Sequence, residues 1–544
     1  MAMGVPMTVE QCKSVRDFKS LAVRAEQKAA ECGEDVAIFL EHDAPITYGA
    51  IFAEAMALAA GLHRLGLGKG DVVSFQLPNW RETVAIDIAC CWLGIVLNPI
   101  VPIYRSNEVQ HILEDCGAKA IFIPENYRNF DYREMIAEMR QSLPLLEHVI
   151  LVRPANGSPV DNVSYASLVE DVGNRPSPNV PEQAPILPDD IKLIMYTSGT
   201  TGRAKAVHHS HSSLAHAIFN GVDGWQLGVD DIMLMPSPVT HITGYANGIE
   251  LPFVSSAKAA FMERWNVDDA MSYITRINAT FCVSATPFLQ ELVEKAKTTQ
   301  QRLPSLRGFA CGGAAVPPSL ITGTREVLEN CRAFRVYGCT EAPLISVGFI
   351  AEDELSLAAN TDGKIYNWDV KIVDENNQIL SQGCDGEIIV KGPAMMTGYG
   401  EEGQTAQSID AQGYFHTGDI GHITPEGAIV ITDRKKDIII RGGENLSARE
   451  IEDVLYKHPL VLEAAVVSMP HERLGEGVCA LLVTRDGSEP PLSELIPFFQ
   501  SVKLAKQKWP ERVEYRLEMP KTASGKIKKD VLRKEVVGNL MAKA

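Results

Sequence analysis

The sequence predicts an α/β protein with a large N-terminal domain of doubly wound sheet and a small α+β C-terminal domain. Strand-length apolar runs alternate with helical stretches over the first 125 residues, and β-α-β repeats of that kind assemble into a parallel sheet covered by helices. The 544 residues exceed one ordinary core and suggest three or four packed units of about 150 residues each. A densely charged run, Asp433-Arg434-Lys435-Lys436-Asp437, then divides the chain into a long and a short part.

Residues 18–69 read as helical, interrupted by a strand and turn at 36–48 and resuming as an Ala-rich helix over 48–65. Gly66-Leu67-Gly68-Lys69-Gly70 stops that helix, because glycines after an apolar-periodic run supply the left-handed cap. Residues 71–77 alternate into a strand, 84–93 form a helix and 95–103 a buried strand; helix 106–116 and strand 119–124 complete the repeat. The stretch 153–190 is rich in Pro, Asn and Ser and reads as a surface connection. Beyond it come strand 191–195, helix 210–221 and strand 232–235, then strands 306–309, 334–336 and 428–432. After the charged run, helix 450–458 and strands 461–469 and 479–485 mark the small domain.

Composition narrows the function. A net charge of −18 argues against nucleic-acid binding, since phosphate backbones require clustered positive charge. Eleven cysteines without a Cys-x-x-Cys spacing fit reduced thiols better than a disulfide frame or a zinc site. The first 16 residues lack the apolar core of a signal peptide, and the last four carry no peroxisomal or lipidation signal. The apolar, uncharged run 88–104 contains Asn98, Pro99 and Pro102 and is too short for a usual membrane span. A cytoplasmic protein without a membrane span is expected.

The most informative stretch is Tyr196-Thr197-Ser198-Gly199-Thr200-Thr201-Gly202-Arg203-Ala204-Lys205. Hydroxyls, glycines and a lysine directly after a strand suit a polyphosphate: small residues let backbone N–H groups approach, and Lys205 adds charge. It is not a Walker A loop, because Ala204 precedes the lysine and Ala206 follows it. Cys311-Gly312-Gly313-Ala314-Ala315 and Tyr337-Gly338-Cys339-Thr340-Glu341 each follow a strand, where open α/β sheets place ligands. Thr240-His241-Ile242-Thr243-Gly244-Tyr245, Gly413-Tyr414-Phe415-His416-Thr417-Gly418-Asp419 and Pro520-Lys521-Thr522-Ala523-Ser524-Gly525-Lys526 complete the set. Taken singly, each also fits an ordinary polar turn.

In this order, across about residues 36–534, the motifs resemble those of the adenylate-forming superfamily, which contains acyl-CoA synthetases, peptide-synthetase adenylation domains and firefly-type luciferases. That family usually has Pro-Lys-Gly where this chain has Ala204-Lys205-Ala206, which implies an altered turn. The resemblance implies doubly wound sheets plus a barrel-like subdomain in residues 1–433, a hinge at 434–437 centred on Lys436, and a mobile catalytic-lysine domain at 438–544. It also implies ATP, Mg²⁺ and coenzyme A as cofactor and co-substrates, with Thr197 to Gly202 and Lys205 on the β- and γ-phosphates. Gly312, Gly313 and Ala314 would lie against adenine and acyl chain, with Tyr337 and Gly338 at the base. Thr340 would contact the α-phosphate, Glu341 hold Mg²⁺, and Asp419 and Arg434 hold the ribose. His241 would line the acyl pocket, Gly442 and Gly443 would reach the site in a second half-reaction, and Lys526 would catalyse the first.

The implied activity is activation of a carboxylic acid as acyl-AMP and transfer to coenzyme A, by a monomer or homodimer. Thr240 to Gly244, Ala285-Thr286-Pro287-Phe288, Arg434 to Asp437 and Arg441-Gly442-Gly443-Glu444-Asn445 are most similar to short- and medium-chain fatty-acid and cyclohexanecarboxylate ligases. An amino-acid substrate is disfavoured, because a buried ammonium needs an opposite charge and no acid occurs over 236–247. A stand-alone enzyme that loads a carrier protein would share every ATP motif, as would a luciferase-type oxygenase; a non-catalytic adenylate sensor would be expected to lose Lys526 or Glu341.

Overall fold

A computed structural model describes residues 18–154, 163–170, 180–197, 204–314, 316–522 and 525–541. Two large, mostly parallel sheets dominate it. The first runs in the order Arg332–Val336, Gly308–Gly312, Phe281–Ser284, Ile232–Met235, Lys258–Phe261, Val36–Leu40 and Ile46–Thr47, with only the last pair antiparallel. The second runs Gly398–Tyr399, Lys205–Ser210, Ile191–Thr197, Val96–Pro99, Val72–Phe75, Ala120–Pro124, His148–Val152 and Val163–Ser164; its first two pairings are antiparallel.

One continuous apolar core joins the two sheets, taking in Phe75 and Phe122 from one and Phe281, Phe309 and Phe334 from the other. The helix Glu82–Leu93 runs through it with almost every residue buried, which explains its uninterrupted apolar sequence. The barrel-like subdomain takes the form of a four-stranded antiparallel sheet, Asp369–Val373, Gly386–Lys391, Phe415–Ile423 and Ile429–Arg434. The small domain is built on Glu444–Leu446, Ile439–Arg441, Gly475–Thr484 and Val461–His471, with Arg512–Tyr515 added parallel to Gly475–Thr484. Helices Ala448–Leu455 and Leu492–Ser501 share one apolar cluster with this sheet, and Lys529–Met541 shares another, so α and β segregate as expected.

Two readings are corrected. The connection at 153–190 contains a strand, Val163–Ser164, and a helix, Tyr165–Glu170, whose Tyr165 and Leu168 are buried; too few periodic residues surround them to show in the sequence. The segment after the phosphate loop is a strand, Lys205–Ser210, paired antiparallel to Ile191–Thr197 with Thr197 opposite Lys205. Helix His211–Gly224 therefore starts only after this strand. His208 and His209 masked that strand's alternation, whereas pairing on both sides satisfies its backbone. Among the described residues no helix is long and apolar enough to cross a membrane.

Candidate active site

Strand ends of the first sheet, the antiparallel sheet and Lys526 of the small domain come together at one place. Gly308–Gly312 and Arg332–Val336 run side by side, with Gly312 opposite Val336, so Gly313 and Tyr337 emerge together. A Cβ on Gly338 would lie 2.4 Å from the Leu344 nitrogen, which explains the glycine in Tyr337-Gly338-Cys339. The Tyr337 hydroxyl donates to Asp419 Oδ2 at 2.7 Å, and Arg434 Nε pairs with Asp419 Oδ1 at 2.9 Å. Asp419 and Arg434 stand opposite each other across strands Phe415–Ile423 and Ile429–Arg434, so register alone brings them together. A carboxylate has about four acceptor positions, and two here remain for incoming hydroxyls.

Thr340 and Glu341 are fixed from two sides. Buried His209 offers Nε2 to the Thr340 carbonyl at 2.7 Å and Nδ1 to Ser213 Oγ at 3.0 Å. Burial holds its pKa down at about 4, so the ring is neutral, with Nε2–H as donor and Nδ1 as acceptor. From the other side the Tyr399 hydroxyl donates to Glu341 Oε1 at 2.9 Å, and the Met396 N–H donates to the Glu341 carbonyl at 2.8 Å. Lys205 places its ammonium 5.0 Å from the centre of the Tyr399 ring.

His241 begins the short helical turn after Pro236-Ser237-Pro238, and its buried Nε2 has no hydrogen-bond partner among the described residues. Burial, reinforced by the Lys526 ammonium, pushes its pKa down to about 4. Lys526 comes from the small domain on a turn closed by Thr522 N–H to the Lys526 carbonyl at 2.7 Å. Gly525 in that turn has φ +82° and faces Ala285 and Pro287. Gly313 has φ +78°, and a Cβ there would lie 3.3 Å from Lys526 Cε; both conformation and proximity therefore call for glycine. Burial first, then the Arg434 charge, lowers the Lys526 pKa, while Cys339, Asp419 and Glu341 oppose the shift. Thus Lys526 faces Gly313, His241 and the Asp419–Arg434 pair at once.

The match to known proteins follows this geometry. Residues 25–400 match the family model described as AMP-binding enzyme, and 450–526 match the AMP-binding enzyme C-terminal domain. The chain belongs to the adenylate-forming superfamily of AMP-binding enzymes. It is 32% identical over 533 residues to the medium-chain fatty-acid–CoA ligase of Escherichia coli K12, covering 96% of this chain and 91% of that protein. To the 2,3-dihydroxybenzoate-AMP ligase of Bacillus subtilis it is 29% identical, covering 95% and 93%. Among solved structures it is similar to ATP-bound MatB from Rhodopseudomonas palustris, with a TM-score of 0.85, 25% identity and coverage of 95% and 98%.

For an adenylate-forming enzyme the donor set suits Mg²⁺ shared with a nucleotide. Glu341 presents one carboxylate with one oxygen engaged by Tyr399, and the described residues contain no cluster of three or more metal-ligating groups. Mg²⁺ is commonly bound through one or two carboxylates plus substrate phosphates, so no all-protein cage is required. Thr197 is the last residue of strand Ile191–Thr197, whereas Ser198, Gly199, Thr200, Thr201 and Gly202 lie outside the described residues, as does Ala315. Gly442 and Gly443 sit exposed at a hairpin tip of the small domain, where the Gly442 N–H donates to the Leu474 carbonyl at 2.8 Å. Lys436 is exposed between two differently tied neighbours: Lys435 pairs with Glu387 of the large domain at 3.1 Å, and Asp437 with Arg533 of the small domain at 2.9 Å.

Two site residues escaped sequence reasoning, His209 and Tyr399. Neither belongs to a spacing that signals chemistry: Tyr399 stands in a Gly-Tyr pair, and His209 is a second histidine beside His208.

Proposed function

We propose that this enzyme is an ATP-dependent acid–thiol ligase that converts a medium-chain or alicyclic carboxylic acid to its acyl-AMP and then to its coenzyme A thioester. Residues 1–433 would bind nucleotide and acid, 434–437 would act as the hinge, and 438–544 would carry the catalytic lysine. The observation that best supports this reading is Lys526, a small-domain cation held beside Gly313 with Arg434 and Asp419 as neighbours. In the first half-reaction a carboxylate oxygen attacks the α-phosphorus and the bond to pyrophosphate breaks. Two anions must approach each other, so positioned positive charge is the main requirement.

Lys526 bridges the carboxylate and α-phosphate oxygens, Thr340 orients the α-phosphate, and Lys205 with the loop from Thr197 holds the outer phosphates. Asp419 and Arg434 bind the ribose, Tyr337, Gly338, Gly312 and Gly313 border the base, and His241 donates no charge but can offer its free nitrogen to the acid. Mg²⁺, held by Glu341, neutralises phosphate charge when bound. In the second half-reaction the thiol of coenzyme A attacks the acyl carbon and AMP leaves. The small domain turns about Lys436 for this step, exchanging the Lys526 turn for the Gly442-Gly443 hairpin.

The acid is apolar on two grounds. The segment 236–247 has no acidic side chain, and the nearby Glu250 and Asp87 are already engaged by Lys192. The Escherichia coli relative carries a medium-chain fatty-acid name, which points the same way. The protein works in the cytoplasm as a monomer or homodimer. The ten described cysteines are all free thiols, in keeping with a reducing compartment.

The test is pyrophosphate release from Mg-ATP with linear, cyclic and aromatic acids, with and without coenzyme A, and thioester detected by mass. Turnover dependent on coenzyme A with apolar medium-size acids is expected. Pyrophosphate release without thioester would transfer the acceptor role to a carrier protein.

A further inference from the structure

We propose that Tyr399 is a positioning residue for adenylation, setting the Glu341 carboxylate for its metal and holding Lys205 ready for the outer phosphates; this rests on the adenylating reading above. The ring lies between the two groups. Its hydroxyl donates to Glu341 Oε1 at 2.9 Å, and its face receives the Lys205 ammonium at 5.0 Å. At 8% exposure the side chain has little freedom to move.

Its backbone is equally constrained. The Gly400 N–H donates to the Ala206 carbonyl and the Thr397 N–H to the His208 carbonyl, both at 2.9 Å, so the segment is laced to the strand that carries Lys205. The Met396 N–H closes the frame on the Glu341 carbonyl, and the Tyr399 N–H donates to Thr405 Oγ1 at 2.8 Å. One short strand therefore fixes both a cation and a carboxylate that must address the same polyphosphate. The cation–π contact is weak enough for Lys205 to exchange for phosphate.

The experiment is calorimetric titration of the full-length wild type and of Tyr399→Phe with Mg-ATP, with ATP in chelator, and with AMP. Tyr399→Phe keeps the ring and removes only the hydroxyl. Mg-ATP affinity should fall about tenfold, as expected for losing a hydrogen bond to a charged group, while AMP and metal-free ATP bind as in the wild type. Tyr399→Leu should in addition weaken metal-free ATP binding, because Lys205 loses its seat. Unchanged Mg-ATP affinity in Tyr399→Phe, or an equal loss for AMP, would overturn the proposal. A wild type that binds ATP equally with and without Mg²⁺ would instead overturn the metal role of Glu341 on which the proposal is built.

Discussion

Lys192 and Lys526 are two lysines set among charged groups, and they differ in how completely the protein neutralises them. Lys192, 2% exposed, opens the strand that leads to the phosphate loop and meets Asp87 Oδ2 at 3.3 Å and Glu250 in close contact. Tyr245 adds a hydrogen bond to Asp87 at 2.8 Å, so the ammonium sits in a completed network. The two carboxylates overcome burial and raise its pKa. Lys526 has no carboxylate in salt-bridge contact among the described residues, faces a second cation in Arg434, and has its pKa lowered. A buried cation whose partners are all supplied by the protein holds the fold together. A cation left short of anions is poised for an anionic substrate.

The sharpest way to break that contrast is to exchange the consequences of removing each lysine. Lys526→Ala should lower acyl-AMP formation by about 10²–10³-fold or more, the scale of losing a principal electrostatic stabiliser, while thioester formation from supplied acyl-AMP survives. Its melting temperature should stay close to that of the wild type. Equal loss in both half-reactions would remove the division of labour between the domain's two faces.

Lys192→Met should do the reverse. It strands Asp87 and Glu250 together in the core, a change that typically costs about 3–5 kcal/mol, and should appear as a clear fall in melting temperature with turnover per folded molecule retained. A variant that melts like the wild type but cannot adenylate would make Lys192 functional and void the comparison.

The smallest effect is in pH dependence. Because the Lys526 pKa is lowered, kcat/KM for adenylation should decline on the alkaline side through a limb lying below the ordinary lysine value of 10.5. Lys192 behaves oppositely. Its folded-state pKa is raised above the unfolded value, so its stabilisation is fully present below pH 10.5 and fades only as pH rises through the folded value. Activity and stability should therefore part company at high pH, with activity falling first. Rate and unfolding measured on the same samples test this; coincident decline would argue that one group governs both.

Local chemistry was legible in the sequence. Short apolar runs and glycine stops placed the repeated β-α-β units, and the helix over 106–116 matches Ser106–Cys116, because periodicity and caps are local properties. The segments put forward for ligand binding were legible for the same reason: Tyr337-Gly338, Thr417-Gly418-Asp419 and Gly525-Lys526 each form a pattern of consecutive residues. Partners brought in from distant segments were not. Nothing local tells that His209 meets the Thr340 carbonyl 131 positions later, that Tyr399 reaches back 58 positions to Glu341, or that Lys192 answers both Asp87 and Glu250. Those meetings are set by strand register and by the way two sheets share one core. Sequence alone therefore determined the fold class and put forward the candidate side chains, and only the tertiary structure decided which charged groups are neutralised by the protein and which are not, since an ionisable group takes its pKa from neighbours that chain order does not specify.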